Sequence, residues 1–197
     1  MPKKLHSGKL HKGPPHNAAS RPPIIIVMGV SGAGKTTVGK EIAKRFGYTF
    51  ADADEFHSPA NITKMKAGTP LTDEDRQSWL KAIAARIREW RARDIGGVVT
   101  CSALKRVYRD LIIGGQPGIA LVYLQGDADL IRSRVAKRRH HFMPASLLDS
   151  QFATLEEPGA DEQPIVLDAA KPAPELAEEV WRRLRGDMTR NRLAHPT

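Results

Sequence analysis

Short runs of consecutive apolar residues alternate along this chain with longer segments in which apolar residues recur every three or four positions. Runs of the first kind are typical of strands buried on both faces, and segments of the second kind are typical of amphipathic helices. The pattern predicts strands at 24–27, 48–51, 98–101, 119–124 and 165–168. It predicts helices at about 38–46, 58–67, 72–93, 105–113, 127–139, 146–156 and 174–185.

This alternation predicts an α/β fold of three layers, in which helices cover both faces of a parallel sheet. Right-handed crossovers then bring the carboxyl ends of the strands to one edge of the sheet. At 197 residues the chain is long enough for one well-packed domain, which we place at 23–186. We expect residues 1–22 to form a disordered basic tail and residues 187–197 to form a loose C-terminal tail.

Positive charge is concentrated at the N-terminus, where Lys3, Lys4, Lys9, Lys12 and Arg21 precede any acidic residue. The formal net charge is +9. This excess leaves two main interpretations open. The tail either stays solvated, which we favour, or binds polyanions such as nucleic acid through counterion release. A mitochondrial presequence is a third and weaker alternative, because the tail shows little amphipathic pattern.

Cysteine content and hydropathy limit the environment of the protein. Cys101 is the single cysteine, so an internal disulfide is excluded and a reducing compartment is the simpler assumption. No apolar run approaches the roughly 20 residues that a membrane-spanning helix needs. We therefore expect a cytoplasmic protein that does not insert into a membrane.

The segment 29–36 fits the phosphate-binding loop G-x-x-x-x-G-K-[ST] and lies between a predicted strand and a predicted helix. Glycines let the backbone turn its N–H groups inward, and the positive end of the following helix favours phosphate oxygens. We expect Lys35 to be catalytic by reaching the β- and γ-phosphates, and Thr36 to hold Mg²⁺. The expected nucleotide-binding residues in this segment are Gly29, Val30, Ser31, Gly32, Ala33, Gly34, Lys35, Thr36 and Thr37.

Two carboxylates, Asp52 and Asp54, directly follow the second predicted strand. A GTPase should carry an Asn-Lys-x-Asp motif, which this chain lacks, and a motor-type ATPase should end the strand at 98–101 in Asp. The pair instead suits phosphoryl transfer to a small acceptor. One of the two would order the Mg²⁺ shell, and the other would accept or orient the acceptor hydroxyl.

Several further motifs fall in the order found in one family. The chain resembles the gluconokinases, which are phosphate-loop kinases related to the shikimate and nucleoside-monophosphate kinases. The resemblance covers about 27–168, and its most specific stretches are Ser102-Ala103-Leu104-Lys105 with Tyr108-Arg109-Asp110, and Glu74-Asp75-Arg76. It also includes Asp52-x-Asp54-x-x-His57, Asn61-x-x-Lys64-Met65 and Gln151-Phe152-x-Thr154-Leu155-Glu156-x-Pro158.

This resemblance implies a phosphate-loop NTPase fold of the nucleoside-monophosphate-kinase type with a mobile lid. It implies ATP-dependent phosphorylation of D-gluconate to 6-phospho-D-gluconate, with ATP and Mg²⁺ as cofactors, and it is compatible with a homodimer. Substrate-binding helices would occupy about 58–93. The resemblance implies that Asp52 faces the Mg²⁺ shell and that Asp54 is catalytic and faces the C6 hydroxyl of gluconate. The implied substrate-binding residues are Asp54, His57, Lys64, Arg76, Lys105 and, with less support, Arg109.

Each of these residues also has an ordinary structural interpretation. Asp54 could be an acid at a helix start, His57 a surface histidine, and Lys64 and Arg76 solvated helix charges. Arginine suits bidentate recognition of the gluconate carboxylate, which favours substrate contact. Trp79 and Trp90 fit the apolar stripe of a helix and are expected in the core.

The implied lid spans about 134–146. Arg134 and Arg138 would bind the nucleotide, and Arg138 would be catalytic by neutralising charge on the transferred phosphoryl group. We expect Arg132 and Arg139 to be solvated instead. His140 stands where the family often has glycine, so the hinge of this lid departs from the family pattern.

Two alternative functions stay open at this point. The chain could be a shikimate- or nucleotide-type kinase of the same fold, in which case the acceptor differs but the phosphate loop does not. It could also be a nucleotide-gated nucleic-acid-binding protein. The second alternative is disfavoured because the chain lacks the aromatic-plus-basic stacking motifs of RNA-binding modules.

Overall fold

A parallel sheet of five strands forms the centre of the molecule. The computed structural model describes residues 22–137 and 145–194. The strands are β1 (Ile24–Met28), β2 (Thr49–Asp52), β3 (Gly97–Thr100), β4 (Ile119–Gln125) and β5 (Ile165–Asp168). Their order in the sheet is β2-β3-β1-β4-β5, and all neighbouring strands are parallel. The predicted sheet is therefore confirmed, and β1 lies at its centre.

Helices cover both faces of this sheet. They are α1 (Lys35–Phe46), α2 (Pro59–Lys66), α3 (Asp73–Ala92), α4 (Arg106–Ile113), α5 (Ala128–Ala136), α6 (Ala145–Thr154) and α7 (Ala173–Ala194). Short 3₁₀ turns occur at Ala53–Phe56 and Ala160–Glu162. The three-layer α/β architecture predicted from the sequence is confirmed.

Alternate residues of β1 face two separate apolar cores. Ile25 and Val27 pack with residues of α1 and α7 on one face. Ile24 and Ile26 pack with residues of α3 on the other face, including Trp79 and Trp90. Every residue of β1 is buried, which explains why the strand is apolar throughout instead of alternating with polar residues. The expectation that Trp79 and Trp90 belong to the core is confirmed.

Local signals set the ends of the helices around the site. Thr72 and Asp75 form a capping box at the start of α3, because each side chain accepts a hydrogen bond from the other residue's backbone N–H. Gly47 ends α1 in the left-handed region at φ 68°. Gly97 lies under the ring of Trp90, and a Cβ there would lie 2.1 Å from the ring, so the residue must lack a side chain.

Several element boundaries differ from the prediction. β2 begins one residue later than predicted and includes Asp52, which places that carboxylate at the strand end. Helix α7 continues to Ala194, although we predicted a loose tail from 187. Gly186 alone does not end the helix, and no proline occurs between Pro174 and Pro196. Residues 1–21 of the predicted tail at 1–22 lie outside the described part of the chain, as do residues 138–144.

Among the described residues, none of the helices is both long and apolar enough to span a membrane.

Candidate active site

The phosphate loop joins the end of β1 to the start of α1. Gly29 has φ 142° and Gly34 has φ 97°, a region of backbone conformation that favours glycine. A Cβ on Gly29 would lie 2.8 Å from the carbonyl oxygen of Leu124, so the loop passes close to β4. Helix α1 begins directly at Lys35, and its N-terminus therefore faces the loop. The inward N–H groups expected of such a loop and the dipole of the helix favour phosphate binding at this segment.

Thr36 and Asp52 are brought together as the sequence predicts. The Thr36 hydroxyl donates a hydrogen bond of 2.7 Å to Asp52 Oδ2. Asp52 Oδ1 accepts the backbone N–H of Asp54 at 3.2 Å. A hydroxyl and a carboxylate oxygen are ligands of the kind that Mg²⁺ takes, together with waters and phosphate oxygens. In the described ranges no cluster of three or more His, Cys, Asp or Glu could hold a metal, so a metal here would depend on those additional oxygens.

The pocket beside this pair contains Ser31 of the phosphate loop and four further predicted site residues. Lys35, Asp54, His57 and Arg76 all line it. The Lys35 ammonium donates to the carbonyl oxygen of Val30 at 3.0 Å. Asp54 and the phosphate loop therefore lie on the same edge of the sheet, which is what transfer of a phosphoryl group to an acceptor in this pocket requires.

The imidazole of His57 is held by stacking and not by hydrogen bonds. Its ring lies 4.6 Å from the ring of Trp79 at an angle of 8°, and Trp79 donates its indole N–H to the carbonyl of Ala53 at 2.7 Å. Burial, and to a lesser extent Arg76, lower the pKa of His57, while the charge of Asp54 opposes this shift. His57 Nδ1 is buried, and no described residue forms a hydrogen bond with it. The ring is therefore neutral near pH 7.

A second part of the pocket extends from Arg76 towards Lys105 and Tyr108. The Lys105 ammonium lies 2.9 Å from both carboxylate oxygens of Asp73, and the Tyr108 hydroxyl donates a short hydrogen bond to the same carboxylate. These bonds from Tyr108 and Lys105 lower the pKa of Asp73. The hydrogen bond to Asp73 raises the pKa of Lys105. Arg76 and Lys105 thus give this end of the pocket two permanent cations.

The expectation that Arg109 binds the acceptor is contradicted by the structure. Its side chain is 1% exposed, and its guanidinium forms two hydrogen bonds with Glu162, at 2.5 and 2.8 Å. The remaining nitrogen donates to three backbone carbonyls, those of Ala103, Leu104 and Glu156. Sequence reasoning failed here because Glu162 is 53 positions away and gave no local signal.

The structure does not bring Lys64 to the wall of the pocket. Its ammonium lies 2.7 and 2.8 Å from the two carboxylate oxygens of Asp75, at the start of α3. The backbone carbonyl of Asp75 also accepts the side-chain amide of Asn61 at 2.7 Å. Lys64 therefore joins α2 to α3, in agreement with the structural interpretation of this residue.

A cleft of about 450 Å³ lies on the other side of the phosphate loop. Gly32, Gly34 and Thr37 line it together with Arg134 and the segment 169–173. Arg134 donates to the carbonyl oxygen of Ala169 at 2.7 Å. The cleft adjoins the expected phosphate site, and its volume falls within the range of small-molecule binding pockets.

Not every expected nucleotide-binding residue contributes its side chain. Val30 and Ala33 are 3% and 1% exposed, so only their backbone can face a ligand. Arg138 lies outside the described residues, as does most of the expected lid, and its catalytic role stays a prediction.

Two residues of the pocket wall, Ser102 and Gln151, were not selected from the sequence. The side-chain oxygen of Gln151 accepts the backbone N–H of Ser31 at 2.7 Å. Ser102 comes just after β3, and its position beyond the carboxyl end of a strand was a usable signal. Gln151 follows the expected lid, and no pattern around it indicated which way its side chain points.

Known proteins match this chain over the region that contains the phosphate loop and the pocket. The AAA domain family model matches residues 24–158. A gluconokinase from Gluconobacter oxydans is 44% identical over 167 residues, which cover 85% of this chain and 94% of that protein. The solved structure of a sugar kinase from Janibacter sp. HTCC2649 matches with a TM-score of 0.79 and 47% identity, over 83% of this chain and 95% of that one.

A gluconokinase structure from Sinorhizobium meliloti 1021 matches with a TM-score of 0.76 and 42% identity, over 87% of this chain and 98% of that one. The identity extends over nearly the full length of these relatives, and the phosphate loop and its pocket lie inside the matched region. The resemblance seen in the sequence is confirmed, and this chain belongs to the gluconokinase family of phosphate-loop kinases.

Proposed function

We propose that this protein catalyses the ATP-dependent phosphorylation of D-gluconate to 6-phospho-D-gluconate. The observation that carries the proposal is the distribution of charged residues along one pocket. Lys35 and Asp54 line the part beside the phosphate loop, and Arg76 leads from there to the part lined by Lys105. A linear acid with a hydroxyl at one end and a carboxylate at the other matches this distribution of charge.

The two ends of gluconate have different requirements. Its carboxylate is best bound by Arg76 and Lys105, because guanidinium and ammonium donors form the strongest hydrogen bonds with carboxylates. Its internal hydroxyls need neutral donors and acceptors, which Ser102, His57 and Gln151 supply in the same wall. This orientation directs the hydroxyl of the far carbon towards Asp54.

Asp54 is the residue that handles the proton in this reaction. Its carboxylate accepts the proton of the acceptor hydroxyl as the new bond to the γ-phosphorus forms and the bond between that phosphorus and the bridging oxygen of ADP breaks. Lys35 stabilises the negative charge on the phosphoryl oxygens during this transfer. When bound, Mg²⁺ neutralises phosphate charge, and Thr36 and Asp52 are the residues that would hold it.

The cleft lined by Thr37, Arg134 and 169–173 is the proposed site of the nucleoside part of ATP. Its position next to the phosphate loop supports this assignment. We also propose that Arg138 closes over the phosphates with the lid and helps to exclude water, which would otherwise accept the phosphoryl group.

The test is an acceptor panel measured by coupled release of ADP, with gluconate, shikimate and nucleoside monophosphates side by side. We expect turnover with gluconate alone. Turnover with shikimate or a nucleotide, and none with gluconate, would refute the acceptor while leaving the kinase assignment intact. ATP hydrolysis that no acceptor stimulates would refute both.

The role of Asp54 is tested by Asp54→Asn, with Glu55→Gln as the matched control on an exposed neighbour outside the pocket. Loss of a positioned acid–base group reduces a rate by about 10²–10⁴-fold. We expect a fall of this size in kcat for Asp54→Asn, with ATP binding close to that of the wild type. Normal turnover of Asp54→Asn would remove this residue from the mechanism.

A further inference from the structure

Gln151 lies where the phosphate loop and the acceptor pocket meet. Helix α6 follows the expected lid in the chain, and Gln151 lies near its C-terminal end. Its side chain lines the pocket that contains Asp54 and also the extension that contains Lys105. This residue therefore faces both the proposed phosphoryl donor and the proposed acceptor.

The contact with the loop engages a phosphate-binding amide. The backbone N–H of Ser31 donates to the side-chain oxygen of Gln151 at 2.7 Å. Because a backbone N–H can only donate, the Gln151 atom facing it must be the amide oxygen. Ser31 is the third residue of the phosphate loop, whose inward N–H groups are expected to bind phosphate oxygens. A phosphate oxygen and the Gln151 oxygen would compete for the same hydrogen.

Charge decides this competition in favour of the nucleotide. Hydrogen bonds to an ionised oxygen are roughly twice as strong as those to a neutral one. A bound phosphate would therefore take the Ser31 N–H and release the Gln151 oxygen. A polar group that loses its partner on a partly buried wall is stabilised by a new partner. The hydroxyl groups of the acceptor are suitable partners, since each can both donate and accept.

We propose that Gln151 is a positioning residue that couples the two binding sites. In the absence of nucleotide it holds the Ser31 amide, and when nucleotide occupies that amide it turns to the hydroxyls of the acceptor. This inference rests on the proposed function. Its consequence is that nucleotide binding increases the affinity for gluconate, and by linkage gluconate increases the affinity for nucleotide to the same extent.

The experiment measures gluconate binding by calorimetry, with and without a non-hydrolysable ATP analogue and Mg²⁺. In the wild type we expect the analogue to tighten gluconate binding by about fivefold or more, the lower end of typical coupling between sites. Gln151→Met keeps the length of the side chain but has no comparable hydrogen-bonding group. We expect it to reduce the coupling to less than about twofold.

Gln77→Met is the matched control, because Gln77 is exposed on α3 and lies outside both parts of the pocket. It should retain the coupling of the wild type. A second variant, Gln151→Glu, keeps the shape of the side chain but places a negative charge beside the phosphate loop. It should weaken binding of the analogue by about tenfold or more, since like charges at close range repel.

The outcomes separate this inference from the function on which it depends. If gluconate binds and the analogue tightens its binding equally in the wild type and in Gln151→Met, the inference is overturned and the proposed function is not. The same holds if the analogue does not tighten gluconate binding in the wild type. Absence of gluconate binding with and without the analogue would contradict the proposed function and the inference with it. Loss of coupling in Gln77→Met as well would show a general effect of substitution and would also overturn the inference.

Discussion

Two cations at the start of α4, one helical turn apart, have opposite environments. Lys105 is at the N-cap of the helix and faces the pocket, where its ammonium contacts the exposed carboxylate of Asp73. Arg109 points into the protein and is almost fully buried against Glu162. From the sequence both were candidates for binding the acceptor. The difference shows that a cation is available to a ligand only where its existing partners are themselves solvent-exposed and replaceable.

Arg109 affects the site by holding the wall of the pocket in place, and not by contacting the acceptor. Its guanidinium joins α4 to the segment that follows α6, through Glu162 and the carbonyl of Glu156. The backbone N–H of Glu156 donates to Leu104, and its side chain accepts the N–H of Arg106. The C-terminal end of α6 is thus fixed to the start of α4. Lys105 at the start of α4 thus supplies the pocket with a charge, and Arg109 one turn later holds the wall of the pocket in place.

Replacing Arg109 with Met should have the largest effect. Removal of Arg109 leaves the buried carboxylate of Glu162 with only the longer ion pair to Arg106 among the described residues, at 3.6 Å. Breaking a buried ion pair by removing one partner typically destabilises a protein by about 3–5 kcal/mol. Urea denaturation would measure this loss. In the folded fraction the KM for gluconate should stay within about twofold of the wild type, since no acceptor contact is removed.

Arg88→Met is the matched control, because Arg88 is exposed on α3. Its stability should be close to that of the wild type. A stable Arg109→Met variant with a strongly raised KM would show that Arg109 binds the acceptor, contrary to the structure.

Glu162→Gln tests the ion pair of Arg109 and Glu162 through the pH dependence of protein stability. The hydrogen bonds from Arg109 lower the pKa of Glu162 below its ordinary value of 4.5. The carboxylate therefore stabilises the folded protein fully above pH 4.5 and loses this contribution as pH falls through the lowered pKa. Loss of a charged hydrogen-bond partner should reduce the free energy of unfolding by about 1.5–3 kcal/mol at pH 7.

The measurement is the free energy of unfolding between pH 7 and pH 3. The decline below pH 4.5 should be shallower in Glu162→Gln than in the wild type, because one of the groups that cause it has been removed. Parallel profiles for the two proteins would mean that Glu162 does not contribute to acid sensitivity.

Lys105→Met tests the accessible cation of the two, which we expect to bind the acceptor. It should raise the KM for gluconate by about tenfold with little change in kcat, since Lys105 is expected to bind the carboxylate equally in the ground and transition states. Its melting temperature should be unchanged, because the ion pair with Asp73 is partly exposed. Lys81→Met, on an exposed position of α3, serves as the control. An unchanged KM would place the carboxylate elsewhere.

Lys64→Met should have the smallest effect. Because the ammonium of Lys64 is paired with Asp75 and does not line the pocket, we expect a KM for gluconate within about twofold of the wild type. The same coupled assay applies. A rise comparable to that of Lys105→Met would mean that Lys64 reaches the acceptor when ligands are bound, as the sequence resemblance implied.

Much of the fold could be predicted because its signals are local. The apolar runs of β1 and β4 and the phosphate loop are each contained in fewer than about ten residues, and the parallel topology follows from their alternation with helices. The one-residue shift of β2 and the extension of α7 to Ala194 show the limit of such signals. Helix ends depend on packing and capping as well as on propensity.

The topology predicted the site where residues lie at or beyond the ends of strands, whereas Arg76 and Lys105 were predicted from the family resemblance. Asp52 ends β2, Asp54 follows it, and Lys35 follows β1, so the topology of the sheet brings them together. The side chains of α4 and α6 are different, because their direction depends on partners far away in the chain. The direction of the Arg109 side chain is set by its bonds with Glu162. The direction of the Gln151 side chain is set by its bond with Ser31, which is 120 positions away.

Asp75 also connects the two helices that form the outer wall of the pocket. Its carboxylate caps α3 and holds Lys64, while its carbonyl receives the side-chain amide of Asn61. Helix α2 and the first turn of α3 are thus joined at two points, through Lys64 and Asn61. Any closure of the wall around a sugar acid would have to carry both helices as one rigid body, with its pivots outside the segment 59–75.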